Sequence, residues 1–355
     1  MISKDSVPGF MPRRSPRKLK MWGATFAATA VAMAGLAVMP VAGASQRAST
    51  AVSRLQPAAS GKLVFDLVNN GCASDPFWAA VNNGTNDAAK TLGVTVHIVE
   101  ALNCESQADE NTLLTSVVNS KPAGIAISET SATAFSSNIQ RAVKLNIPII
   151  AYNSIPPNNN PVQDPIEAFV GSDLYEAGVA MGYGITEYHL AKGNAVPVFT
   201  VCATNIACIT RDNGFTAVAT KAGITTPKYP ITQSTSQDIS IVHGYLVEHP
   251  KTKMIIAEGA IDAVVKALQG LNYKPGQIKV GEYDFNGNGP EYIKQGWLQY
   301  AIDQEPFLQG FDSVVDLYNA AKYGQPPVNI GTGPVTITVA DTAWISPSMD
   351  AITGL

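Results

Sequence analysis

Apolar residues along this chain fall into two alternating kinds of stretch. One is a short unbroken run, as at 62–68, closed by Asn69-Asn70-Gly71. A run so short and continuous reads as a strand buried on both faces. The other carries its apolar residues at helical spacing, as at 77–92, opened by Asp75-Pro76 and closed by Gly93, residue types that start and stop helices. The couplet repeats. Further strands are predicted at 94–99, 124–127, 148–152 and 168–171, with helices at 109–118, 132–145 and 175–190 and a Pro/Asn-rich loop at 153–166. A second series begins near Val196, with strands at 196–201, 254–257, 278–283 and 300–302 and helices at 211–221, 238–248, 260–268 and 306–322.

Strands that alternate with helices of ten or more residues pair in parallel through right-handed crossovers, which place helices on both faces. Two such series predict an α/β fold of two doubly wound, Rossmann-like parallel-sheet domains, and 355 residues suit two domains better than one. Ligands of such sheets lie beyond the carboxyl ends of the strands. Candidate chemistry is therefore sought there.

The N-terminus stands apart from this pattern. Residues 1–20 carry Arg13, Arg14, Arg17, Lys18 and Lys20; residues 21–43 are uncharged; Ala42-Gly43-Ala44 then offers small residues at signal-peptidase spacing. Residues 1–44 read as a cleavable signal peptide, with an uncleaved membrane anchor as the alternative. No cysteine lies near the cleavage site to carry a lipid. Residues 45–60 read as a flexible lead-in. The formal net charge is −4; without residues 1–44 it becomes −9, from 18 Lys+Arg against 27 Asp+Glu. That balance excludes a nucleic-acid partner, whose phosphates need a basic face. With 46% hydrophobic and 15% charged residues the chain is a folded one.

Export also decides the reading of Cys72, Cys104, Cys202 and Cys208. In an oxidising compartment an even number of cysteines favours disulfides over a zinc site. Cys72 and Cys104 follow the first two strands, where a bridge is reasonable if those strands are neighbours. Cys202 and Cys208 bracket a short loop before Arg211, and a bridge there would stiffen it.

The first strand ends in a segment that runs through Asp75-Pro76-Phe77-Trp78. Adjacent aromatics beside a carboxylate suit a sugar ring, whose CH face packs on rings while its hydroxyls donate to the acid. The plainer alternative is a core aromatic and an Asp helix cap. Asp284-Phe285-Asn286-Gly287-Asn288-Gly289 has half the spacing of a calcium loop, but its twelfth position is Gln295, and it reads as a turn into a helix near Glu291. No nucleophile elbow, phosphate loop or dinucleotide fingerprint is present. His97, His189, His243 and His249 have no nucleophile context. No catalytic residue, cofactor or metal site is expected.

Six blocks, in order, resemble the periplasmic sugar-binding proteins of the ribose/galactose type, the type I solute-binding proteins of ABC importers. They are Asp75-Pro76-Phe77-Trp78; Asn146-Ile147-Pro148-Ile149-Ile150; Phe169-Val170-Gly171-Ser172-Asp173; Arg211-Asp212-Asn213-Gly214-Phe215; Val280-Gly281 through Asp284; and Ala301-Ile302-Asp303-Gln304-Glu305-Pro306. The resemblance implies two lobes joined by a three-strand hinge near Ser172, Gln304 and Gly333. The N-terminal lobe is expected at 61–172 plus 305–333 and the C-terminal lobe at 173–304 plus 334–355. It further implies that Phe77 and Trp78 flank a ring, that Asp75, Asp284 and Gln304 bond hydroxyls, and that Arg211 donates a fork of N–H groups. Asn153-Ser154 stands where the family has Asp, often followed by Arg, so Asn153 is the candidate there. Gly259 and Ala260 stand where it has Asn-Asp. These departures imply a less polar or roomier pocket. One of the residues 233–237 should also reach the ligand.

The expected function is an exported solute-binding protein that closes on a sugar, polyol or similar small polar ligand and delivers it to the membrane permease of an ABC importer, acting as a monomer in the periplasm or its equivalent. The alternative is a ligand-sensing protein that presents its solute to a membrane receptor. A sugar-responsive repressor would need a helix-turn-helix and a basic face, and an enzyme would turn its ligand over.

Overall fold

The computed structural model describes residues 61–71, 75–101, 106–156, 164–232, 234–285 and 287–343. The expected signal peptide and lead-in, Cys72, Cys104, Gln233 and Asn286 lie outside them. No helix among the described residues is long and apolar enough to cross a membrane.

In chain order the elements are β1 (Val64–Asn69), α1 (Pro76–Leu92), β2 (Thr95–Glu100), α2 (Gln107–Ser120), β3 (Gly124–Ile127), α3 (Ser136–Lys144), β4 (Ile149–Tyr152) and β5 (Phe169–Gly171). Then follow α4 (Leu174–Met181), α5 (Tyr183–Glu187), β6 (Val198–Thr200), α6 (Ile206–Lys221), β7 (Lys228–Pro230), α7 (Thr235–Glu248), β8 (Met254–Glu258) and α8 (Ile261–Gly270). The chain continues through β9 (Lys279–Tyr283), α9 (Gly289–Gln295), β10 (Tyr300–Asp303), α10 (Pro306–Tyr323), β11 (Ile330–Gly331) and β12 (Val335–Thr338).

These strands form two six-stranded sheets of matching order, β2-β1-β3-β4-β5-β11 and β7-β6-β8-β9-β10-β12. The fold is α/β with two parallel-dominated, doubly wound sheets, as the alternating pattern predicted. Alternate residues of one strand serve cores on opposite faces. Phe65 and Leu67 join α1 and α10, while Val68 joins α2 and α3. In the second sheet Ile255 and Ala257 pack with α7 and α8, and Met254 and Ile256 pack towards α4 and α6. Burial on both faces is why these strands read as continuous apolar runs.

The chain changes sheet three times, after β5, after β10 and after β11. The one antiparallel strand follows from the last change. β10 runs up to its crossing at Asp303, and β12 leaves the neighbouring crossing at Val335, its partner in register. One strand arriving and the other departing must run in opposite directions.

Three further departures from the sequence pattern have local causes. The helix expected at 175–190 is two helices, because the chain pauses at Gly182, a residue that costs a helix about 1 kcal/mol relative to Ala. β7 escaped the pattern because Lys228-Tyr229-Pro230 is a half-exposed edge strand without an apolar run. The helix expected from Arg211 begins earlier, at Ile206, where the Asn205 side chain accepts from Ala207 N at 2.8 Å. Arg211 therefore sits in the second turn of α6 and not at its start.

α4 and α6 touch backbone to backbone. A Cβ on Gly178 would lie 1.9 Å from Arg211 O, and one on Gly214 would lie 2.2 Å from Tyr175 O. The first sheet repeats the device where α1 crosses α10, at Gly84 and Gly310. In the second sheet this contact seats the helix that carries Arg211.

Candidate functional site

The segments leaving β1, β4, β6, β8 and β9 at their carboxyl ends open onto one cavity of about 530 Å³. Asp75, Phe77, Trp78, Asn153, Arg211, Asp284 and Gln304 all line it. The seven residues singled out from sequence thus share a single space.

The first sheet supplies an aromatic wall. Asp75 caps α1, its Oδ1 accepting from Phe77 N at 2.9 Å, and so the first helical turn presents both aromatics. Phe77 and Trp78 meet edge to face at 5.3 Å, and Trp78 meets Tyr152 in the same way at 6.1 Å. Both are almost fully buried and belong to the core while forming the wall. The plainer alternative drawn from sequence, a core aromatic beside an Asp helix cap, is observed, and the two rings also line the cavity. The preceding loop lies directly on Trp78: a Cβ on Gly71 would fall 1.8 Å from its Cδ1.

The second sheet supplies charge. Arg211 is 4% exposed. Its Nη1 lies 3.3 Å from both carboxylate oxygens of Asp284, its Nη2 lies 3.0 Å from Glu258 Oε1, and the guanidinium sits 4.9 Å above the Tyr283 ring. Burial opposes this charge, but Asp284 and Glu258 outweigh it and hold Arg211 above its ordinary pKa. Glu258 is pushed up by burial, with Arg211 pulling the other way. Asp284 has a positive φ of 73° and Asn153 one of 60°, the left-handed conformation that Asp and Asn tolerate best after Gly. Asp284 also accepts from Gln304 Nε2.

The cysteine expectation is met where the structure describes it. Cys202 and Cys208 form a disulfide across the β6–α6 loop, and Arg211 Nη2 donates to Cys208 Sγ at 3.1 Å. The expected Cys72–Cys104 pair lies outside the described residues. The half calcium loop is a turn into α9: Asp284 faces Arg211, and Gln295 bonds Glu291.

Gly259 and Ala260 both line the pocket, and Glu258, Asp262 and Glu282 line it beside them. The sequence reading missed Asp262 and Glu282. A single acid inside the strand 278–283 reads as an interruption of an apolar run, and Asp262 reads as a helix first-turn acid. A ligand contact was expected in the region 233–237; Gln233 lies outside the described residues, Gln237 accepts from Thr232 Oγ1, and the neighbouring Asp238 lines the cavity.

A family model described as "Periplasmic binding protein domain" matches residues 65–326. The xylose/arabinose-binding protein XylF of Sulfolobus acidocaldarius is 28% identical over 297 residues, covering 78% of this chain and 71% of that protein. A periplasmic sugar-binding protein of an ABC sugar transporter from Legionella pneumophila superposes with a TM-score of 0.71 at 28% identity, covering 77% of this chain and 100% of that one. A carbohydrate transporter from Acidothermus cellulolyticus, solved with myo-inositol, superposes with a TM-score of 0.72 at 23% identity, covering 83% of this chain and 99% of that one. Two doubly wound sheets with a polar cavity at their strand ends define a solute-binding fold. This chain belongs to the periplasmic binding protein family, of the ribose/galactose type.

Proposed function

We propose that this protein is an exported solute-binding protein of an ABC importer, which holds a sugar or polyol in the cavity between its two sheets. The observation that carries the reading is the set of buried polar atoms left without partners there. Arg211 Nε, Gln304 Oε1 and Glu258 Oε2 lie in the cavity wall with no hydrogen bond. Buried polar groups in folded proteins are otherwise nearly all paired. A polyhydroxylated ligand both donates and accepts, so it satisfies an arginine nitrogen, an amide oxygen and a carboxylate at once. Phe77 and Trp78 would cover its CH face, and Asp75, Asn153 and Asp284 would take further hydroxyls.

Sites contributed by both sheets support capture by closure. We read 61–172 with 305–333, and 173–304 with 334–355, as lobes that hinge at the three crossings. Only the closed form presents both halves to the ligand, so the ligand stabilises it. The partner would be the importer's permease, and the location outside the cytoplasmic membrane. The kinship with XylF and with the myo-inositol complex supports this class of ligand.

A thermal-shift screen of sugars and polyols is expected to find a ligand that raises the melting temperature. Arg211→Ala and Phe77→Ala should each abolish the shift. Wild-type binding by both variants would overturn the site assignment.

A further inference from the structure

Among the described residues the cavity wall holds six carboxylates, Asp75, Asp238, Glu258, Asp262, Glu282 and Asp284, against one cation, Arg211. Five of the six are answered within the protein. Asp75 caps α1. Asp238 accepts from Thr232 N and Oγ1 at 2.7 and 3.0 Å. Asp262 accepts from Asn288 Nδ2 at 2.9 and 3.1 Å and from Tyr292 OH at 2.8 Å. Glu258 and Asp284 share Arg211.

Among the described residues, Glu282 is the one of the six with neither a hydrogen-bond donor nor a cation beside it. It is 1% exposed, and its Oε2 has no hydrogen-bond partner. It comes from the core face of β9, two residues after Val280, and reaches the cavity near the first residue of α9, where a Cβ on Gly289 would lie 3.1 Å from Oε2. Burial raises its pKa well above the ordinary value, and the charges of Asp284 and Asp262 raise it further. A hydroxyl gives such a group one neutral hydrogen bond and leaves the surplus negative charge of the wall in place. An ammonium pairs with the carboxylate, holding it ionised against its burial, and supplies up to three donors.

We propose that the ligand carries a protonated amine beside its hydroxyls, as an amino sugar or amino polyol does, and that Glu282 is the residue that recognises the ammonium. This rests on the reading of the cavity as a sugar or polyol site and narrows its ligand class.

The test is calorimetric titration at neutral pH with matched pairs that differ only in an amine for a hydroxyl: glucosamine with glucose, galactosamine with galactose, and mannosamine with mannose. At least one amine is expected to bind about tenfold or more tightly than its parent, the scale of one charge-assisted hydrogen bond. Glu282→Gln should bring the ratio of amine to parent-sugar affinity down to about one, whatever it does to the parent sugar's own affinity, and Glu282→Asp, which keeps the charge, should retain part of the preference. If parent sugars bind and the amines bind no better, the ammonium site is wrong while the sugar reading stands. A preference that survives in Glu282→Gln overturns the assignment to Glu282. If neither series binds, the sugar reading fails and this inference fails with it.

Discussion

Asn153 Nδ2 donates to Gln309 Oε1 at 3.2 Å, joining side chains 156 positions apart. The same Gln309 amide donates to Gln304 O at 3.1 Å, and Ser128 Oγ lies 3.2 Å from Asn153 Oδ1 and 3.1 Å from Asn70 Oδ1. Gln304 in turn reaches Asp284, and Asp284 reaches Arg211. A hydrogen-bonded line therefore runs from the end of β1, through the crossing after β10, to the charged centre of the second sheet. Gln309 lies in the middle of it and is fully buried.

Gln309→Ala should consequently cost more than a surface amide. It strands the Asn153 amide and removes one donor from Gln304 O, which keeps the 2.8 Å bond from Thr332 Oγ1. The expected loss is about 1–3 kcal/mol, the range for leaving a buried polar group unpaired. Urea unfolding measures it. Ligand affinity should fall as well, although Gln309 does not line the cavity. Unchanged affinity would mean that the line does not hold Gln304 in place.

Two glycine substitutions separate close packing from helix propensity. Gly178→Ala forces α4 away from Arg211 O and is expected to destabilise by about 1–3 kcal/mol, the usual cost of overpacking. It should also weaken ligand binding, because α6 carries Arg211. Gly244 lies mid-helix in α7, exposed, with no neighbour within 4 Å of an added Cβ. There Ala should stabilise by roughly 0.5–1 kcal/mol and leave binding unchanged. Melting temperatures of the two variants test the contrast.

Much of this arrangement was readable from residues that obey local rules. β1 and β8 are buried on both faces, so their apolar runs announced them. Asp75-Pro76 and Gly93 marked the ends of α1 because capping is local chemistry. Arg211, Asp284 and Gln304 were reached through the blocks that resemble the sugar-binding family and not through a local rule. The remainder depends on partners distant in sequence. Nothing near Gln309 says that it meets Asn153, and nothing near Glu282 says that its strand face ends in a cavity wall. β12 was hidden because half of its residues are exposed and its partner, β10, is fixed by the crossing and not by its own pattern.

Glu129 should make stability depend on pH. It follows β3, is fully buried, and neither carboxyl oxygen has a hydrogen-bond partner. Burial raises its pKa from 4.5 to about 8, with Asp164 adding to the rise. The folded protein then keeps this proton up to about pH 8, whereas the unfolded chain releases it above 4.5. Between these values the native state binds more protons, so stability falls as pH rises. Glu129→Gln removes the titration. Relative to wild type it should melt higher at pH 8, by roughly 1–3 kcal/mol of stability on the scale of an unpaired buried polar group, and the difference should vanish near pH 4.5. A parallel pair of pH profiles would contradict the assignment.

Arg211 holds the buried Glu258 and the partly buried Asp284 together, so its removal should do more than remove a ligand contact. Arg211→Met leaves Glu258, 1% exposed, and Asp284 facing each other without a cation. Breaking a buried ion pair from one side typically costs about 3–5 kcal/mol. Glu258 is already raised above 4.5 by burial against the pull of Arg211, and losing that pull raises it further. The native variant would then hold a proton that the unfolded chain has released, so its penalty should be least near pH 4.5 and grow as pH rises. Adding Glu258→Gln removes the stranded charge. The double variant should regain a substantial part of the loss, a coupling of about 1–3 kcal/mol in the range seen for residues of one network. It should still fail to bind ligand, because the guanidinium is gone. Chemical denaturation of the four proteins at pH 5 and pH 8 completes the cycle. Additive single and double losses would show that Glu258 does not depend on Arg211 for its charge.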